Sequence, residues 1–413
     1  MIPGATGSGV TTPQGFRAAG IGAGIKRVSP AEAANPSGDT VPLDLALLVS
    51  DVPATASAVF TTNLAQAAPV VVSLEHLARS RGLCRAIIIN SGCANACTGD
   101  EGMLAARDMA EGTARLVGCP IEQVLVASTG VIGVSLPVDK IRSALPIAAA
   151  ALGVDQGAAA ARAIMTTDPF PKEAAVQVTI GGRPAAIGGM AKGSGMIEPM
   201  LATMLAFVTT DASVPKPLLD RALTEVVNDT FNAITVDGEC STNDCVMLLA
   251  NGTGGATVDD TSYGEFAAGL RTVCHELAIS IVRGGEGATK LVTVNVTGAA
   301  SAEDARRAAK AIANSLLVKT AIHGGDPNWG RLIAVAGRAG VAFELSRAAV
   351  AIGSIVLFRD GRPYDESAPL AAEYLKRKDV DVSVDLGSGS AASTVWTCDL
   401  SADYVRINAD YRT

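Results

Sequence analysis

The sequence predicts a layered α/β fold of the α+β kind, in which strands and helices are mixed along 413 residues. Two observations predict it. Hydrophobic residues make up 48% of the chain, which is enough for an extensive buried core. Short apolar or alternating runs are also interspersed with longer segments of helical spacing. The length favours two or three structural units over one small domain.

The predicted elements follow the hydrophobic pattern in order. Strands are predicted at 43–49, 58–61, 86–89, 124–126, 174–180, 291–296, 349–358, 380–386 and 393–398. Helices are predicted at 101–117, 137–152, 216–231, 263–282, 302–317 and 368–377. Ser301 is a candidate N-cap for the helix from residue 302, with Asp304 in its first turn. The glycine pair at 284–285 is the best boundary, dividing the chain into units 1–285 and 286–413.

Charge and composition argue against several classes of protein. The net charge is −8, aromatic residues are 4%, and no basic block is present, so we expect no nucleic-acid partner. No signal-like leader opens the sequence, and no apolar stretch has the length of a membrane-spanning helix. We therefore expect a cytoplasmic protein with no membrane partner.

The cysteines and histidines do not form a metal pattern. Eight cysteines are scattered along the chain, with only three histidines. Neither Cys93 with Cys97 nor Cys240 with Cys245 has the spacing of a zinc or redox pair. We expect reduced cysteines, no metal and no cofactor.

The sequence also argues against a dinucleotide-binding site and against a serine nucleophile. Residues 387–392 fit a dinucleotide-binding glycine motif, but the following residues alternate like a strand where a helix is required. A GxSxG nucleophile elbow is absent, and three scattered histidines make a Ser-His-Asp triad hard to assemble.

One threonine offers a different nucleophile. A glycine-rich stretch beginning at Lys192 leads into an apolar run that contains a single hydroxyl, Thr203. Thr203 has an ordinary interpretation as a β-branched residue in a buried strand. The alternative is that Thr203 attacks the carbonyl of Ala202 and cuts the chain there, after which its freed α-amine serves as the base for its hydroxyl. That chemistry needs no histidine.

A threonine nucleophile needs groups that stabilise the oxyanion and groups that bind the substrate. Thr129 and Gly130 end a predicted strand and offer a hydroxyl and a backbone N–H for an oxyanion, although an ordinary turn would look the same. Lys192 and Glu286 lie in glycine-flanked stretches where a backbone can approach a charged ligand. Each is alternatively a solvated surface charge.

Several segments resemble the ornithine acetyltransferase family, also called glutamate N-acetyltransferase. The run 192–207 resembles the family's self-cleavage site. The other matching segments are TTPQGFRAAG at 11–20, FTTN at 60–63, APV at 68–70, NSGCANACTG at 90–99, VDG at 236–238, STND at 241–244 and GDPNWGR at 325–331. They follow the family's order over nearly the whole chain.

The resemblance implies a fold and an assembly. It implies an αββα sandwich with a smaller α+β C-terminal domain, and two mature chains, 1–202 and 203–413, in an α2β2 heterotetramer. Cys93 stands where Asn is usual and Cys240 where a Thr or small polar residue is usual, at positions with no assigned catalytic role.

The resemblance also implies residue roles. Thr203 matches the nucleophile, and Thr129 with Gly130 matches the oxyanion hole. The residues that match substrate-binding positions are Thr166, Lys192, Thr203, Glu286, Asn408 and Thr413.

The implied reaction transfers acetyl from N2-acetylornithine to glutamate in arginine biosynthesis, with acetyl-CoA as a further donor in bifunctional members. Two other hypotheses stay open from the residues: a self-cleaving aminopeptidase or amidase, and a non-catalytic small-molecule binding protein.

Overall fold

The computed structural model describes residues 9–26, 42–198 and 204–410. Within them the strands are β1 Phe16–Ile21, β2 Leu45–Phe60, β3 Leu83–Cys93, β4 Val124–Val131, β5 Lys172–Ile180, β6 Arg183–Lys192, β7 Leu205–Thr210, β8 Cys245–Ala250, β9 Leu291–Ala299, β10 Ala349–Ile352, β11 Ile355–Arg359, β12 Arg362–Pro363, β13 Asp379–Asp385 and β14 Ala391–Cys398. The α-helices are α1 Ala68–Arg79, α2 Gly99–Val117, α3 Val138–Ala150, α4 Gly157–Ala163, α5 Lys216–Asp229, α6 Tyr263–Arg283, α7 Ala302–Ala313, α8 Leu316–Gly324, α9 Trp329–Gly337, α10 Ala368–Tyr374 and α11 Ala402–Asp410.

An eight-stranded mixed sheet forms the larger part of the molecule, in the order β4-β3-β2-β8-β7-β6-β5 with β1 paired to β2. Strand β2 belongs to both halves of this sheet. Its first part pairs with β1 and β3, and its second part pairs with β8. The register of β2 against β3 shifts between Val49 and Ala54, where the strand passes from one half to the other.

The two halves of this sheet pack face to face. Alternate residues of each strand point to opposite sides, so Leu48 and Phe207 meet in one shared cluster between the halves. Their neighbours Leu47 and Val208 point outward into two separate clusters. Helices α1, α2 and α3 cover the first half, and α5 and α6 cover the second. The arrangement is therefore the predicted αββα sandwich, and the fold prediction is confirmed.

A second, six-stranded sheet follows in the order β12-β11-β10-β13-β9-β14. Its cluster joins alternate valines of β9 and β13 to the apolar faces of α7, α8, α9 and α10. After β14 follows α11, whose Tyr404 and Asn408 contact Asp237 and Glu286. The division of the chain at 285/286 stays a prediction.

Several of the predicted elements have different boundaries in the structure. The single helix predicted at 302–317 is two helices, because Ser315 leaves the helical path and caps α8 by accepting from Val318 N. The strand predicted at 349–358 is a hairpin, β10 and β11, that turns at Gly353. The strands predicted at 43–49 and 58–61 are one strand, β2.

The structure also bears on the membrane question. Among the described residues, none of the helices combines the length and apolar character needed to cross a bilayer.

Candidate active site

Six of the predicted site residues lie in the wall of one cavity of about 140 Å³. These are Thr129, Gly130, Thr166, Lys192, Glu286 and Asn408. The other three, Ala202, Thr203 and Thr413, lie outside the described residues. Residues separated by more than two hundred positions in the chain therefore meet at one place in the fold.

The strand ends explain this meeting. Thr129 lies near the end of β4, beside β3, and Lys192 is the last residue of β6. Lys192 pairs with Leu205, the first residue of β7, and Leu205 pairs in turn with Cys245, the first residue of β8. The cavity therefore lies where β7 begins, two residues after position 203.

Lys192 connects two predicted site threonines. Its Nζ donates to Thr129 Oγ1 at 3.1 Å and to Thr166 Oγ1 at 2.9 Å. A hydroxyl that accepts a hydrogen bond keeps its own hydrogen free to donate. Thr129 can therefore offer an O–H to a negatively charged oxygen, while the nearby ammonium favours that charge.

Asp168, which the sequence analysis did not single out, fixes this group. One carboxylate oxygen accepts from Lys172 Nζ at 2.6 Å and from Gly193 N at 2.7 Å, and the other accepts from Thr166 N at 2.9 Å. The Asp168 and Lys172 side chains are fully buried. Burial opposes ionisation of Asp168, but the charges of Lys192 and Lys172 outweigh it and lower its pKa to about 2.

Glu286 and Asn408 also line the cavity. Glu286 follows α6 and is buried, and its Oε2 accepts from Asn408 Nδ2 on α11 at 2.7 Å. A Cβ on Gly195 would lie 2.5 Å from Glu286 Oε2, so the glycine allows the backbone to approach this carboxylate. The cavity wall thus contains both an ammonium and carboxylates.

A second carboxylate, Asp237, holds the loop between Lys192 and the cleavage position. Its two oxygens accept from Met196 N and Ile197 N, each at 2.7 Å. Tyr404 on α11 donates to Asp237 Oδ2 at 3.2 Å. Burial, reinforced by the charge of Asp237, raises the pKa of the Tyr404 phenol.

The STND segment supplies the wall beside β4 and β8. Asn243 Nδ2 donates to Ala94 O at 2.6 Å and to Ser128 O at 3.0 Å, and so joins two loops. Asp244 is fully buried, and its Oδ2 has no hydrogen-bond partner among the described residues. Burial raises the pKa of Asp244 well above the ordinary range for aspartate.

Gly130 is held in a conformation that other residues rarely adopt. Its φ is +127°. A Cβ there would lie 2.4 Å from the carbonyl carbon of Gly92 on β3. Close approach of these two strand ends therefore requires glycine at position 130.

Three further cavity residues were missed by sequence reasoning for different reasons. Asp237 and Asp244 belong to the VDG and STND segments, for which the family resemblance implied no role of either aspartate. Tyr404 had no local signal, since it lies on a helix with no buried residues. Among the described residues, no group of His, Cys, Asp and Glu side chains is arranged to hold a metal ion.

Comparison with known proteins identifies the family. The model of the ArgJ family matches residues 23–413. The arginine biosynthesis bifunctional protein ArgJ of Symbiobacterium thermophilum is 49% identical, over 98% of this chain and 98% of its own length. The protein of the same name from Thermosynechococcus vestitus is 47% identical, with the same coverage of both chains.

Two solved structures are also similar in sequence. ArgJ from Bacillus halodurans is 45% identical, covers 50% of this chain and 98% of its own, and has a TM-score of 0.48. Ornithine acetyltransferase from Mycobacterium tuberculosis, complexed with ornithine, is 40% identical, covers 48% of this chain and 98% of its own, and has a TM-score of 0.42. The family match and the full-length relatives confirm the resemblance found in the sequence, and the chain belongs to the ArgJ family.

Proposed function

We propose that this chain transfers the acetyl group of N2-acetyl-L-ornithine to L-glutamate, giving L-ornithine and N-acetyl-L-glutamate. As a member of the ArgJ family it is an acyltransferase of arginine biosynthesis. One observation carries the substrate proposal: the wall of a single cavity contains Lys192, bonded to Thr129, and the Glu286 carboxylate. Both substrates are amino acids with charged ends, and the cavity offers both signs of charge.

The chain first cuts itself between Ala202 and Thr203. The Thr203 hydroxyl attacks the Ala202 carbonyl carbon, the C–N bond breaks, and the nitrogen takes the hydroxyl proton. Water then hydrolyses the resulting ester, leaving a carboxylate on Ala202 and a free amine and hydroxyl on Thr203. The mature chains are 1–202 and 203–413.

The acetyl transfer uses the same hydroxyl twice. The Thr203 amine takes the hydroxyl proton, and the oxygen attacks the acetyl carbon of N-acetylornithine. Thr129 Oγ1 and the Gly130 N–H stabilise the oxyanion. The ornithine nitrogen leaves with the proton, and acetyl-Thr203 remains. The amine of glutamate then attacks this ester, and the Thr203 oxygen regains a proton as N-acetylglutamate forms.

Charge assigns the binding roles. Lys192 pairs with the α-carboxylate of either substrate, and Thr166 contacts the substrate beside it. Glu286 accepts from the ornithine ammonium, and Asn408 and Thr413 close the site at that end. The ornithine complex of the Mycobacterium tuberculosis relative supports this class of substrate.

Four further properties belong to the proposal. Acetyl-CoA is a second acetyl donor, in keeping with the word bifunctional in the relatives' names. The mature chains assemble as α2β2, and the enzyme works in the cytoplasm without a cofactor.

Intact mass tests the maturation step. The wild-type protein should give two fragments that divide between Ala202 and Thr203, whereas Thr203→Ala should stay whole at 41.7 kDa. The variant should also lose acetyl transfer. An uncut wild-type chain that still transfers acetyl would contradict the free-amine mechanism.

Initial-rate kinetics test the transfer step. Varying N-acetylornithine at several fixed glutamate concentrations should give parallel reciprocal plots, because the donor product leaves before the acceptor binds. Release of acetate at an equal rate without glutamate would instead indicate the hydrolase.

A further inference from the structure

The last described residue before the cleavage segment is held by the second sheet's first helix. Glu198 Oε2 accepts from Asn314 Nδ2 at 3.0 Å, and Lys310 Nζ lies 3.5 Å from the same oxygen. Lys310 is in the last turn of α7, and Asn314 is its C-cap residue. The Glu198 and Lys310 side chains are each only 15% exposed. Five residues, 199–203, separate Glu198 from the next described residue.

These contacts belong to a larger junction. Lys310 Nζ also donates to Ile234 O at 2.7 Å, and the Thr235 hydroxyl lies 2.7 Å from Asn314 Oδ1 and 3.0 Å from Ile197 O. Val236 N donates to Ile197 O at 2.8 Å. Helix α7, the segment 234–236 and the arm 197–198 therefore form one connected hydrogen-bonded unit.

The rest of the arm is fixed as well. Asp237 binds the amides of Met196 and Ile197, and Met196 has a left-handed φ of +59°, which is rare for a residue with a side chain. Glu286 N donates to Ser194 O at 3.0 Å. On the far side of the segment, Cys245 N donates to Met204 O at 2.9 Å. Both ends of the segment 199–203 are thus anchored.

Fixed ends matter for a reaction within the chain. A hydroxyl attacks the carbonyl next to it only in a minority of backbone conformations, so restricting the flanking residues raises the rate. An anchor at Glu198 restricts the side that carries the acyl group. The Glu198–Lys310 pair is largely buried, so its loss also costs folding stability. A positional role is therefore shown by slowed cleavage with unchanged acetyl transfer in the matured enzyme.

We propose that Glu198, Lys310 and Asn314 form a clamp through which α7 of the second sheet positions the chain for self-cleavage. The inference rests on the proposed maturation at Ala202–Thr203. Glu198, Lys310 and Asn314 are positioning residues for that step, and none of them lies in the wall of the substrate cavity. Maturation therefore waits until the second sheet has folded and α7 has docked on the first.

A pulse–chase experiment in cell-free translation tests the clamp. The full-length precursor is labelled, and its conversion to the fragments 1–202 and 203–413 is followed by denaturing electrophoresis. Glu198→Ala should slow cleavage about tenfold, and Lys310→Met should slow it severalfold, as expected for loss of one or two partly buried polar contacts. The double variant should cleave no more slowly than Glu198→Ala, because both changes remove one clamp.

The control variant changes another residue of α7. A second measurement is made on the cleaved enzyme from the same preparations. Glu303→Ala removes an exposed ion pair with Arg307 on α7 and should cleave at the wild-type rate. Once cleaved, the Glu198→Ala enzyme should show wild-type kcat/KM for acetyl transfer, although the loss of a largely buried pair should lower its melting temperature. Slow cleavage with an unchanged kcat/KM supports the clamp.

Three results would count against it. Wild-type cleavage rates in both Glu198→Ala and Lys310→Met would overturn the clamp alone. A parallel fall in melting temperature and kcat/KM would show a general structural role and would also overturn it. An uncut wild-type chain would remove the proposed maturation, and the clamp with it.

Discussion

Asp168 shows how one buried carboxylate organises several functional groups. It binds the backbone of Thr166 and Gly193 and the ammonium of Lys172, and its charge lies near Lys192. Two lysines in a buried site repel each other, and burial itself lowers the pKa of Lys172. The carboxylate offsets both costs, so the ammonium of Lys192 can be held in the wall of the substrate cavity.

The stability supplied by Asp168 should depend on pH. Its folded-state pKa of about 2 is below the ordinary value of 3.8. The contribution is therefore complete above pH ~4 and is lost as the pH falls towards ~2. At pH 7, Asp168→Asn should lower the free energy of unfolding by about 3–5 kcal/mol, because it leaves Lys172 buried without a counter-charge. The difference in the free energy of unfolding between Asp168→Asn and the wild type should become smaller below pH 4.

Urea denaturation at a series of pH values measures this. Asp139→Asn is the matched control, since Asp139 pairs with Arg142 at a surface where its side chain is 89% exposed. The control should change the free energy of unfolding by less than about 1 kcal/mol at any pH. A difference between Asp168→Asn and wild type that stays constant down to pH 2 would refute the electrostatic explanation.

At the scale of elements, strong helical periodicity was the most reliable sequence signal. The helices predicted at 101–117 and 263–282 correspond to α2 and α6, each with a clear buried face. Strands β6 to β8 were not predicted, because they are buried on both faces and alternation is lost. Helix α11 was not predicted because it has no apolar face to reveal it.

The residues of the candidate site also divide into those that a local sequence pattern indicates and those that it does not. Lys192 and Glu286 could be found from charge beside glycines, and Thr129 with Gly130 from a strand that ends in a hydroxyl. Asn408 came from family resemblance alone. The carboxylates of Asp168 and Asp237 each also bind a backbone N–H group distant in the chain, that of Gly193 and that of Met196, which a local pattern does not encode.

Helix α11 should matter for binding and not for stability. It buries none of its residues among those described, yet Tyr404 and Asn408 contact two carboxylates of the cavity. Ending the chain after Ser401 should therefore leave the melting temperature within about 2 °C of wild type. We expect KM for N-acetylornithine to rise at least about tenfold, as charged hydrogen bonds at the site are lost.

Arg406→Ala is the control on the same helix. The Arg406 side chain is 72% exposed and pairs with Asp403 at the surface. It should leave KM unchanged. A truncated enzyme with wild-type KM would show that α11 does not close the site, and a large fall in melting temperature would show that it supports the core.

At the scale of the whole molecule, the burial of the cysteines indicates how completely solvent is excluded from the cores. None of the eight is joined in a disulfide, and Cys97 alone among them is exposed. Burial raises the pKa of Cys84 and of Cys274 to about 12, and it raises that of Cys245 further. The protein therefore combines many thiols with little expected thiol reactivity.

Thiol titration under native conditions should detect about one fast-reacting group, because the thiolate is the reactive species and must be reachable. Full denaturation should then reveal all eight. Cys97→Ser should abolish the fast phase and leave the remainder unchanged. Several fast-reacting thiols in the folded wild type would mean that the packed sheets and helices separate, and expose buried cysteines, more often than their packing indicates.

The pairing of β6 with β7 has a consequence for how the mature protein can come apart. The two strands are neighbours in the large sheet, yet they stand on opposite sides of the proposed cut. An uncut chain unfolds to one molecule, whereas the cut protein unfolds to two. Dilution then favours the unfolded side by mass action, and reassembly becomes a meeting of two partners. Before the cut, the stability of the chain does not depend on its concentration. After the cut, stability rises with the concentration of the protein in the cell.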